Sequence, residues 1–243
     1  MLNHYLIIFL IAIATQLTNA QEKSAFNDIL NNNESFKYHD EWGKNNYLKL
    51  IKKFNLTPLK KGEIIFLGNS ITAEGKDWKK RLDNSKVRNR GIGGDTSDGV
   101  IARSPEIIYS EPLAVFLLIG INDLYNNTIE TPSVNYIADN IILIAEKIKN
   151  GSSDTKVFVQ TLLPISRKKS RRNYKLYNES IRMINKIIIQ NEKKNLYSVI
   201  DLYSLFVNKK GELKKELSYD GLHLNNEGYR VWSNYIKPLV DSL

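Results

Sequence analysis

The chain has 243 residues, 42% of them hydrophobic and 25% charged, a balance that excludes a disordered or fibrous polypeptide and allows one sizeable core. Lys and Arg outnumber Asp and Glu by 35 to 26, and the resulting formal charge of +9 favours anionic partners without indicating a fold. The absence of Cys excludes disulfides and lipid attachment through cysteine.

In chain order, the first twenty residues, "MLNHYLIIFLIAIATQLTNA", carry no Asp, Glu, Lys or Arg and hold an apolar run from Tyr5 to Ala14. That run is too short to span a bilayer comfortably, and with the small residue Ala20 before the charged "QEK" it predicts a cleavable export signal over 1–20, a permanent membrane anchor being the alternative. The expected product is periplasmic or secreted, with no stable membrane insertion after cleavage. Residues 21–60 read as an Asn-rich, loose leader to about His39 followed by a helix, "EWGKNNYLKLIKKF". From 61 to 243 short β-rich runs alternate with amphipathic stretches. The strands are "EIIFL" (63–67), "KVRNR" (86–90), "LAVFLLIG" (113–120), "TKVFVQTLL" (155–163) and "YSVIDLY" (197–203), with helices near 97–109, 130–150, 173–193 and 226–242. Continuous rather than alternating apolar runs suit strands buried on both faces of a parallel sheet, and the repeated alternation predicts a single three-layer α/β domain.

In such a sheet function gathers in the loops after the carboxyl ends of the strands. There the sequence places "GNSIT", "NRGIGGDT" and "GIND", with "YDGLHLNNEGY" near the C-terminus. Ser70, at a strand-to-helix turn, is by itself either a helix cap or a nucleophile. A serine nucleophile needs a base, and that base needs an acceptor to fix its tautomer. Beyond the first twenty residues there are two histidines, His39 in the leader and His223, which stands three residues after Asp220. The Asp-x-x-His step could hold one ring nitrogen and leave the other facing Ser70. Gly94 and Asn122, with the Ser70 N–H, could supply the donors a tetrahedral oxyanion requires. Taken singly, Gly94 is equally a turn glycine and Asn122 a helix cap.

Other chemistries fit less well. The glycines of "GIGGDT" break the dinucleotide pattern at its third position, Thr96, and no Gly-Lys-Ser/Thr follows. The G-x-S-x-G elbow is absent, and two histidines without Cys make a poor zinc site. The basic run "RKKSRRNYK", Arg167 to Lys175, is either a solvated loop or a patch that steers acidic substrates.

The four blocks in this order resemble the SGNH, or GDSL-type, hydrolases, a family of esterases and acylhydrolases, over roughly Lys61 to the C-terminus. The resemblance implies an α/β/α sandwich with a flavodoxin-like parallel sheet of about five strands and no metal or organic cofactor. It implies Ser70 as nucleophile with Asp220 and His223 completing a triad, and an oxyanion hole formed by Ser70, Gly94 and Asn122. Asn69 departs from the family's Gly-Asp-Ser, a change expected to alter local hydrogen bonding and not the reaction. The wording of the blocks is most similar to small exported acetylesterase-like members, of the sialate O-acetylesterase and platelet-activating-factor acetylhydrolase types. That implies a short acyl ester, acetyl above all, on a glycan or small molecule, acidic in keeping with the charge. The alternatives are an acylhydrolase of lipid esters and, from a different class, a non-catalytic polyanion-binding protein. No nucleic-acid partner is expected.

Overall fold

Each of the five β-rich runs forms a strand: β1 (Ile64–Gly68), β2 (Val87–Gly91), β3 (Ala114–Leu118), β4 (Lys156–Gln160) and β5 (Ser198–Ile200). They pair in parallel in the order β2-β1-β3-β4-β5, so the two most apolar strands, β1 and β3, lie inside the sheet. Every residue of β1 and β3 is buried, as two covered faces require. The computed structural model describes residues 36–125, 131–168 and 174–243. The predicted export signal, the leader to residue 35 and residues 169–173 of the basic run lie outside them.

The helices are α1 (Glu41–Asn55), α2 (Ser70–Ala73), α3 (Trp78–Leu82), α4 (Ser97–Ala102), α5 (Ser104–Tyr109), α6 (Ile121–Tyr125), α7 (Val134–Gly151), α8 (Tyr174–Gln190), α9 (Tyr203–Phe206) and α10 (Asn226–Asp241). The helix expected over 97–109 is broken at Arg103. Pro105 begins a new helix there, and the Arg103 side chain turns inward and is buried. The strand expected to run to Gly120 ends at Leu118, because Gly120 takes φ +121° and redirects the chain into α6. Among the described residues no helix is long and apolar enough to cross a membrane.

Most of the core clusters around the sheet, where Phe66, Phe116 and Phe158 of neighbouring strands stack at 4.9 Å centroid spacing. Trp78 and Trp232 pack against Phe66 of β1, and Tyr229 packs in turn against both tryptophans. A second, smaller core joins Phe36, Tyr47, Ile51 and Phe54 to Ile92 at the end of β2. The last part of the leader is therefore anything but loose, since Phe36, Tyr38 and His39 are all buried.

Candidate active site

The Ser70 loop is built for close approach. Gly91, paired with Gly68 across β1 and β2, has no room for a side chain, because a Cβ there would lie 2.3 Å from the amide of Ala73. Helix α2 consequently starts directly at the strand ends. Its cap is Asn69, whose Oδ1 accepts the Ile71 N–H at 3.0 Å while the residue stays buried. That answers two questions at once. The residue in place of the family's acid supplies the capping acceptor, and Ser70, the first residue of the helix, keeps its hydroxyl free for other work.

That hydroxyl meets a histidine from the far end of the chain. Ser70 Oγ stands 3.0 Å from His223 Nε2, and His223 Nδ1 stands 2.8 Å from Asp220 Oδ2. A carboxylate only accepts, so Nδ1 carries the ring proton and Nε2 accepts from the serine. Asp220 Oδ1 receives the amides of Leu222 (2.9 Å) and His223 (2.8 Å), so one carboxylate both shapes the turn and orients the ring. Partial burial would push the Asp220 carboxyl up, but the hydrogen bonds from the His223 ring and the two amides outweigh it and hold the group below its ordinary value. The Ser218 hydroxyl closes the loop, donating to the His223 carbonyl at 2.6 Å and accepting from the Gly221 N–H at 2.8 Å.

The glycine loop follows β2, whose last residue is paired with the end of β1. Gly94 has φ +82°, a left-handed conformation that glycine takes without strain, and a Cβ there would lie 2.8 Å from Gly43 Cα. It is thus a turn glycine whether or not its N–H serves a substrate. Asn122, in the first turn of α6, does not cap that helix. Its Nδ2 donates to the Asp95 carbonyl at 2.8 Å, which fixes the amide and leaves the second Nδ2–H available.

Beneath the loop is a buried charge cluster that the sequence analysis missed. Asp95 Oδ2 receives Arg103 Nε at 3.0 Å and Nη2 at 2.8 Å, while Oδ1 receives the Thr96 N–H at 3.0 Å and His39 Nε2 at 3.2 Å. His39 Nδ1 in turn faces the Thr96 hydroxyl at 3.3 Å. Arg103 also donates to the carbonyls of Arg90 (2.9 Å) and Gly68 (3.0 Å), so one guanidinium ties the ends of β1 and β2 to the Gly94 loop. His39 is a buried partner of Asp95 and lies apart from the Ser70 pair. Next to Asn122, Asp123 is fully buried, and burial pushes its carboxyl up to about 6 despite the bonds it accepts from the Ser97 amide and hydroxyl.

On the imidazole side, the Tyr219 ring stacks on His223 at 5.8 Å and its hydroxyl donates to Glu74 at 2.8 Å. Glu74 Oε1 also comes within 3.8 Å of His223 Nε2. Lys168, in the described part of the basic run, donates through its ammonium to the Tyr219 carbonyl. Among the described residues no group of three or more His, Asp or Glu gathers as metal ligands would.

The profile of the GDSL-like lipase/acylhydrolase family matches residues 66–231, which contain all five expected site residues. A GDSL-like lipase from Bacteroides thetaiotaomicron shares the fold with a TM-score of 0.69 and 25% identity, covering 81% of this chain and 98% of its own. An acetyl xylan esterase shares the fold at a TM-score of 0.56 and 22% identity, over 73% of this chain and 99% of its own. An N-acylneuraminate cytidylyltransferase from Escherichia coli is 25% identical over 165 residues, 66% of this chain. The chain spans only 36% of that relative's length. With a matched profile over most of its length and a five-stranded parallel sheet like that of the solved relatives, the chain belongs to the GDSL-like lipase/acylhydrolase family of carboxylic ester hydrolases.

Proposed function

We propose that this protein is a serine esterase that removes short acyl groups, acetyl foremost, from carbohydrates, acidic sugars in particular. The observation that carries the reaction is the line Ser70 Oγ, His223 Nε2, His223 Nδ1, Asp220 Oδ2, with contacts of 3.0 and 2.8 Å. In this reading Ser70 attacks the ester carbonyl as its proton passes to His223, and Asp220 steadies the imidazolium. The oxyanion is met by the N–H groups of Ser70 and Gly94 and by the second Nδ2–H of Asn122. Collapse expels the alcohol with the proton from His223, and a water activated by the same ring then releases the acid.

The substrate class rests on weaker support. The +9 charge and the exposed Arg167 and Lys168 beside Tyr219 suit an acidic substrate. The relative from Escherichia coli handles N-acylneuraminate, an acidic sugar, by its name. The export signal read over 1–20 favours a reaction outside the cytoplasm.

The test is acetate release from O-acetylated sialic acids, xylan and pectin fragments by the wild type and by Ser70→Ala. Release that Ser70→Ala abolishes is expected; turnover unchanged in the variant would overturn the mechanism. Rates that climb from acetyl to long acyl chains would overturn the carbohydrate reading in favour of lipid esters.

A further inference from the structure

The geometry points to Trp42 as an aromatic platform for the sugar ring of the substrate, set against the oxyanion loop by helix α1. This rests on the esterase reading above and names the residue that would give it a preference for saccharide esters.

Of the three tryptophans, Trp78 and Trp232 are 1% and 0% exposed, whereas Trp42 is 63% exposed. An indole left in water at that level presents a large apolar surface that a ligand can cover. Its placement is nevertheless fixed. A Cβ on Gly94 would lie 3.0 Å from Trp42 Cζ3, and one on Gly93 would lie 3.2 Å from Cη2. The six-membered ring thus lies over the Gly93–Gly94 peptide, whose N–H, that of Gly94, is the expected oxyanion donor.

The helix that carries the ring is fastened on both sides of it. Asp40 caps the first turn by accepting the Gly43 N–H at 2.7 Å, and Asn46, one turn on and on the same face, donates to the Gly93 carbonyl at 2.8 Å. Tyr47 donates its hydroxyl to the Gly99 carbonyl at 2.9 Å. A rigid, half-seated aromatic at the edge of a polar site offers its open face to the C–H face of a pyranose, while hydroxyls and charge stay in water. Helix α1 precedes the segment matched by the family profile, 66–231, so Trp42 stands outside the part of the chain that the profile describes.

The first test needs no turnover. In Ser70→Ala protein the two buried tryptophans are shielded from ligand, and titration with N-acetylneuraminic acid and with xylotriose should give a saturable change in tryptophan emission for at least one sugar. The change should vanish in Ser70→Ala/Trp42→Tyr. No saturable change with either sugar, or one that survives the second substitution, overturns the platform. In the active enzyme, Trp42→Ala should lower the ratio of kcat/KM for an acetylated saccharide to that for ethyl acetate by roughly tenfold, through KM, with Trp42→Tyr restoring most of it. An equal loss on both esters would mark a structural role, and a loss that grows with acyl-chain length would mark an acyl wall; each overturns the proposal. Absence of acetate release from every glycan by the wild type would sink the esterase reading alone, because the emission titration does not depend on it.

Discussion

Three side chains at the ends of β1 and β3 take separate structural tasks. Asn69 caps the helix, Asn122 is locked to the Asp95 carbonyl, and Asp123 anchors Ser97 from below. If Asn122 gives its second hydrogen to the oxyanion, Asn122→Ala should lower kcat about 100- to 1000-fold with KM little changed, read in steady-state kinetics with a short acyl ester. A loss in KM alone would remove it from the transition state. Asp123 makes a prediction about stability instead. Its carboxyl is raised from an ordinary 3.8 to about 6, so the folded protein binds this proton more tightly than the unfolded chain does. The stabilisation is complete below the unfolded value and is lost as pH rises through about 6. From about pH 7 to about pH 5 the wild type should therefore gain roughly 1–2 kcal/mol relative to Asp123→Asn, measured by urea denaturation. A difference that stays flat with pH would refute the assignment.

At the scale of elements, what could be read in the sequence was what local pattern carries. Five strands announced themselves as short apolar runs, and the four site blocks stood at their ends as small and polar residues. Asp220 and His223, three apart, are positioned by one turn, and that spacing is visible in the chain. The Asp95, Arg103 and His39 cluster was not legible, because its members come from a loop, a helix break and the leader and meet only after the sheet is assembled. A buried arginine looks like a surface arginine until something covers it. The same cluster shows how the ends of β1 and β2 are held in step: Arg103 joins both strand ends to the loop of Gly94. Arg103→Ala would leave the Asp95 carboxylate buried without its cation, and a loss of about 3–5 kcal/mol in denaturant-induced unfolding is expected. A loss under about 1 kcal/mol, typical of an exposed ion pair, would show that water reaches the cluster.

Across the whole molecule, the chain's two cores meet at the glycine loop. One surrounds the sheet and the other lies between α1 and Ile92, so the leader and helix are part of the support for the site and not a tether to it. The sheet order explains the rest. With β1 and β3 inside the sheet, Ser70, Gly94 and Asn122 come from adjacent strand ends, while His223 arrives 153 residues after Ser70. That separation makes esterase activity a clock for assembly. A refolding chain can pair its strands before the Ser70 and His223 loops close on one another, since contacts so distant in sequence are slow to form. Recovery of ester hydrolysis after dilution from denaturant should consequently lag the recovery of far-ultraviolet circular dichroism. If the two returned together, the pair would be closing in the same cooperative step that builds the sheet.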